Sequence, residues 1–335
     1  MNIPTLMTKL AAVRGHPIPT STRSAPDDQR DSEVIPADST GQIGSARGVR
    51  LRRNIEYARR ETPGGSVRLR LDLMIPEAGG RHPLVVFVPG GGFVMAPKVG
   101  GAKMRRYVAA AGLVVASIEY RTTRHDATFR DGLQDVQDAI RFLRSHADEF
   151  GIDPARVGLW GESAGGYLAA LAGVVSGDPA LDPDGTAAVR AVVDKFGGSD
   201  LSRLADGFDD DTVAKINAPG NPNARWVGGP QAMSVSDDVV SWHASDPSRH
   251  VRPDAPAFLI FHGSDDRLVS PVQTMVMHQA LLNAGARSRR ILVAGAGHGD
   301  IAVKGGEEKY WTTTAVMQFI VDFLRRELSE GGEAG

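Results

Sequence analysis

A serine hydroxyl attacks an acyl carbon at neutral pH only when a base takes its proton and a third group holds that base. The chain offers such a serine at Ser163, within Gly161-Glu162-Ser163-Ala164-Gly165-Gly166. A glycine two residues to either side suits a strand-to-helix turn too tight for side chains at those positions, with the hydroxyl pushed into the open. The flanks agree. Arg156 to Trp160 reads as a short buried strand, and Tyr167 to Ala172 as the helix behind it.

In sheets that carry this turn the acid and the histidine follow the serine, in that order, on loops at the carboxyl ends of later strands. The apolar run Ala257 to Phe261 leads into His262-Gly263-Ser264-Asp265-Asp266. The run Ile291 to Val293 leads into Ala294-Gly295-Ala296-Gly297-His298-Gly299. His298, with a glycine on each side, is the expected base. Asp265 and Asp266 compete for the acid role. The spacing from His262-Gly263 favours Asp266, leaving Asp265 to water or to capping the next turn. His262 is expected to order the acid loop. The other seven histidines lack a strand-end glycine setting and receive no catalytic role. An acyl-transfer site also needs donors for the oxyanion. Gly90-Gly91-Gly92 follows the buried run Leu84 to Val88 and Pro89, so the amides of Gly91, Gly92 and Ala164 are the expected donors.

The elements that must position these groups alternate along the chain. Val67, Leu69, Leu71 and Leu73 interleave with charged residues as a strand with one wet face. Continuous apolar strands follow at Leu84–Val88, Leu113–Ile118, the serine strand, Val189–Val193, Ala257–Phe261 and Ile291–Val293, separated by helical patterns. That alternation predicts an α/β fold with a mostly parallel sheet covered on both faces. Residues 1–48 are expected to form a polar N-terminal arm, and 49–330 the catalytic domain. Between about Asp200 and His250 the chain is rich in Gly and Pro and too long for a plain connection, so a lid is expected there.

Composition narrows the function classes. With 335 residues and 41% hydrophobic content the chain can build one large core. A net charge of −2, with both signs mixed along the chain, argues against nucleic-acid or polybasic membrane binding. The absence of cysteine excludes disulfides, thiolate metal sites and a cysteine nucleophile. The first nineteen residues show neither a continuous apolar core nor a cleavage site for secretion, and no apolar run is long enough to span a bilayer. A cytoplasmic protein without metal or organic cofactor is expected. A homodimer is compatible with these features.

Taken together, Pro89-Gly90-Gly91-Gly92-Phe93, Gly161 to Gly166, His262-Gly263 with Asp266, and Gly297-His298-Gly299 resemble α/β-hydrolase esterases of the hormone-sensitive-lipase type. The bacterial carboxylesterase branch with acetylxylan and feruloyl esterases is especially similar. Ser117 to Arg121 and Gly151 to Val157 also look like that branch. The resemblance spans roughly Leu69 to Leu328. It implies an eight-stranded α/β-hydrolase fold and a serine carboxylesterase acting on small-molecule esters through an acyl-enzyme. Acyl transfer to another acceptor, or amide cleavage, would use the same residues. Two positions depart from the family pattern. Pro89 replaces a histidine at the start of the glycine motif, and Asp300 stands where an aromatic often follows His-Gly. Tyr120, Arg121, Phe196, Trp226 and Trp242 are candidate pocket walls.

Overall fold

A computed structural model describes residues 19–25, 29–299 and 306–329. Asp300 and the first eighteen residues lie outside the described residues. Nine strands form one sheet: β1 (Ser32–Pro36), β2 (Val49–Thr62), β3 (Gly65–Pro76), β4 (His82–Val88), β5 (Val114–Ile118), β6 (Ile152–Glu162), β7 (Ala191–Lys195), β8 (Ala257–Gly263) and β9 (Ser288–Ala294). Their order across the sheet is β1-β9-β8-β7-β6-β4-β5-β3-β2. All neighbours pair in parallel except β2 with β3 and β3 with β5. The sheet therefore has nine strands rather than eight. The additional edge strand is β1, contributed by the polar N-terminal region and paired with β9.

The central strands are buried on both faces, which is why they read as unbroken apolar runs. Alternate side chains feed two cores. On one face Val157, Leu159 and Val192 meet helices α2 (Phe129–Ser145), α4 (Ala164–Val174) and α8 (Val272–Asn283). On the other, Trp160, Val193 and Leu259 meet α1 (Ala102–Ala110) and α9 (Thr314–Glu327). A short helix α3 (Ala147–Phe150) leads from α2 into β6. Every residue of α4 is buried. A helix enclosed on all sides must be apolar all round, and its Ala and Gly content lets it lie close on the sheet. At Gly173, an added Cβ would meet Val192 at 2.6 Å.

Between β7 and β8 the chain forms three short helices, α5 (Asp210–Ile216), α6 (Pro222–Gly228) and α7 (Val239–Ser245). Asp209, Asn221 and Asp238 cap them by accepting backbone N–H bonds. Trp226 on α6 is fully buried and stacks on Phe93 of the glycine loop, ring centroids 5.0 Å apart. Trp242 on α7 donates its indole N–H to Asp200, 3.0 Å away.

The segment joining β1 to β2 passes from one edge of the sheet to the other. On the way Ile43 enters the second core, its N–H bonds to Thr312 O at 3.0 Å, and Gln42 bridges to Thr313.

Candidate active site

Ser163 occupies the turn between β6 and α4 with φ 54° and ψ −124°. A side chain rarely adopts such angles, and holding one there costs about 1–3 kcal/mol unless the surroundings impose it. Here they do. The Ser163 N–H donates to Lys195 O at 2.9 Å, and its carbonyl accepts the Tyr167 N–H at 3.0 Å. The flanking glycines follow from contact. A Cβ on Gly161 would sit 2.1 Å from Gly165 O, and one on Gly165 2.0 Å from Val88 O.

Three side chains expected from distant loops meet at this turn. His298 Nε2 lies 2.8 Å from Ser163 Oγ, and His298 Nδ1 lies 2.7 Å from Asp266 Oδ2. An ionised carboxylate only accepts, so Nδ1 carries the proton it donates to Asp266. In the neutral imidazole Nε2 then presents a lone pair to the serine hydroxyl. His298 is almost fully buried, its ring 4.8 Å from that of Phe196. Trp311 steadies its loop by donating Nε1–H to Gly297 O at 3.0 Å.

Asp266 is fully buried. Its Oδ1 accepts the N–H groups of Leu268 and Val269 at 2.9 and 3.0 Å, and its Oδ2 accepts from His298 and from His262 Nε2, the latter at 3.1 Å. Burial alone would raise the carboxyl's pKa. The electrostatic attraction of the adjoining His298 ring and these hydrogen bonds outweigh it and hold the group well below the usual carboxylate range. Asp265 is paired with Arg267 at 3.1 Å. His262 is also wholly buried, and burial lowers its pKa despite the neighbouring Asp266. Its Nε2 faces two acceptors, Asp266 Oδ2 and Val269 O, each 3.1 Å away, and so carries a proton, while its Nδ1 lies 2.9 Å from Thr274 Oγ1.

The glycine loop after β4 lies directly against the serine turn. A Cβ on Gly90 would come 3.1 Å from Ser163 Cβ, and one on Gly91 would strike Met95 O at 2.0 Å. Among the described residues, no hydrogen bond uses the amides of Gly91 or Gly92. The amide of Ala164 opens α4, where helix geometry leaves N–H groups without partners. The loop is tied from outside. Tyr120 donates its hydroxyl to Pro89 O at 2.9 Å, Thr123 bonds Phe93 O through its N–H and hydroxyl, and Thr122 reaches Val94 O. Pro89 therefore serves the loop through its carbonyl, which needs no N–H. Arg121, a candidate pocket wall, instead turns inward to Asp131 and Asp135, because a guanidinium at this depth needs carboxylate partners.

Sequence reasoning passed over two groups at the end of β7. Lys195 is buried with its Nζ 2.7 Å from Glu162 Oε1. Asp194 is fully buried behind Gly166 and Gly197. Its Oδ1 accepts the Gly197 N–H, and its Oδ2 has no partner among the described residues. Charged residues at the end of an apolar run look like the strand's exit to solvent, so nothing in the local pattern marks them as interior.

A family profile described as BD-FAE matches residues 71–281. The chain belongs to the BD-FAE family. Among similar proteins, isoprenylcysteine alpha-carbonyl methylesterase ICME of Arabidopsis thaliana is 26% identical over 298 residues, covering 84% of this chain and 64% of its own. Esterase LipC of Mycobacterium tuberculosis is 32% identical over 228 residues, covering 65% and 53%. This BD-FAE chain thus spans 43% to 64% of the length of these and similar curated relatives. A truncated carbohydrate esterase from gut microbiota superposes with TM-score 0.67 at 25% identity, over 87% of this chain and 98% of that one. Thermogutta terrifontis esterase 2, phosphonylated by sarin, gives 0.63 at 25% identity over 86% and 97%. The fold is that of the α/β-hydrolases. No helix of the described residues is long and apolar enough to cross a membrane.

Proposed function

We propose that this chain is a serine carboxylesterase that hydrolyses small-molecule carboxylic esters through an acyl-enzyme on Ser163. The observation that carries this reading is His298, whose two ring nitrogens engage Ser163 and Asp266 at 2.8 and 2.7 Å. His298 takes the serine proton as Oγ attacks the ester carbonyl. Asp266 keeps the imidazole in the required tautomer and stabilises the imidazolium that forms. The amides of Gly91, Gly92 and Ala164 receive the oxyanion, a role supported by the loop's contact with the serine turn. The alcohol leaves with the proton from His298. Water, activated by the same imidazole, then cleaves the acyl-enzyme. The helices α5 to α7 act as a lid. The esterase names of the relatives and structural neighbours support the reaction class.

The test is Ser163→Ala assayed on short aryl acetates beside labelling by a fluorophosphonate. Wild-type turnover and labelling, both abolished in the variant, are expected. Undiminished turnover by the variant would overturn the assignment.

A further inference from the structure

Lys195 and Glu162 stand opposite each other at the carboxyl ends of β7 and β6. Their side chains are 1% and 18% exposed. Replacing a buried ion pair with apolar groups of similar size is often neutral or stabilising, so stability gives weak grounds for keeping one here. Its surroundings suggest another reason. The Lys195 carbonyl holds the Ser163 N–H at 2.9 Å. The Lys195 ammonium lies 5.4 Å from the Phe196 ring and 5.2 Å from the Trp311 ring. Phe196 packs on the His298 imidazole, and Trp311 binds the carbonyl just before it. Phe196 is also held at φ 47°, with its N–H on Phe261 O at 2.7 Å. One residue thus touches the supports of both the hydroxyl and the base.

We infer that Lys195, locked by Glu162, is a positioning residue that sets the approach of the Ser163 hydroxyl to the His298 imidazole. The inference rests on the esterase reading above. The ammonium fixes the Phe196 and Trp311 rings by cation–π attraction, and the carboxylate fixes the ammonium. Methionine at 195 would fill the same space without orienting either ring.

The test compares wild type, Glu162→Gln and the double variant Lys195→Met/Glu162→Gln, which leaves no lone buried charge. In the double variant kcat on an aryl acetate should fall about 10- to 100-fold with KM within about twofold, since small misplacements of reacting groups act on the chemical step. Fluorophosphonate labelling should slow in parallel, while Tm stays near wild type. Glu162→Gln keeps an acceptor and the side-chain shape but leaves the ammonium without its counter-charge, so it should fold with a lowered Tm and lose several-fold in kcat. It is the deciding variant if the double variant does not fold. Wild-type kcat in either folded variant would overturn the inference alone. An inactive wild type with Ser163 unlabelled would overturn the esterase reading and the inference with it.

Discussion

Asp266 combines complete burial with four hydrogen bonds, two from backbone and two from histidines. Replacing it by asparagine preserves shape but offers His298 an amide, which can stabilise the wrong tautomer. The expected loss in kcat is on the order of 10⁴-fold, read by steady-state kinetics with KM as the internal control. The same carboxylate links stability to acid. Its pKa in the folded chain lies below the ordinary 3.8. Its contribution is therefore complete above the unfolded value and lost as pH falls through the depressed one. Asp194 behaves oppositely. Burial, only partly offset by the Gly197 N–H, pushes its carboxyl up to about 7. The folded chain holds that proton more tightly than the unfolded chain, so stability declines from about pH 4 up to about pH 7 and levels off above. Asp194→Asn removes the decline. Melting curves should show the variant gaining on wild type between pH 5 and pH 8, and a constant gap would refute the assignment. The juxtaposition of Ser163, Asp266 and His298 was legible because each sits in a glycine setting at a strand end. Asp194 and Lys195 were not, because their meaning depends on neighbours brought from other strands.

Among the elements, α6 bears most directly on the glycine loop. Trp226 fills the space above Gly132, where a Cβ would lie 2.4 Å from its ring, and stacks on Phe93. Trp226→Ala should cost about 3–5 kcal/mol as a buried aromatic deletion, measured by denaturant unfolding. It should also lower kcat, since the loop loses its outer wall. A variant destabilised to that extent but fully active would show that the loop is held from the β4 side alone. The central strands and the helices over them were readable as apolar runs and helical periods. β2 was not. Its pairing with β3 shifts register between Arg52 and Ile55 and again between Glu56 and Ala58. Each shift resets which side chains face inward, so fourteen residues never show a sustained alternation. β1 escaped notice for a different reason. Five largely exposed residues on a sheet edge carry little apolar signal, and their pairing to β9 is joined by Glu33–Arg289 and Ser32–Arg290 contacts.

For the whole molecule, β1 covers what would otherwise be the open edge of β9. Removing residues 1–38 should leave that edge free to pair with other chains. Size-exclusion profiles should then shift toward soluble aggregates, while the intact chain elutes as a defined species. Retention of the original profile would show that the edge is protected by other means.

Because β1 and β2 lie at opposite margins, residues 37–48 must traverse the sheet's full width. The crossing is not stretched: Asp38 folds the chain back through its bonds to Thr40, Gln42 reaches Ser39 O, and Gly41 stands at φ 61° before Ile43 enters the core. It is a girdle pinned near its middle, where Gly41, Gln42 and Ile43 meet Thr312, Thr313 and Thr314. A single protease cut within the exposed stretch from Asp38 to Gln42 would therefore release the β1 rim alone, while Ile43 keeps the path to the opposite rim in place.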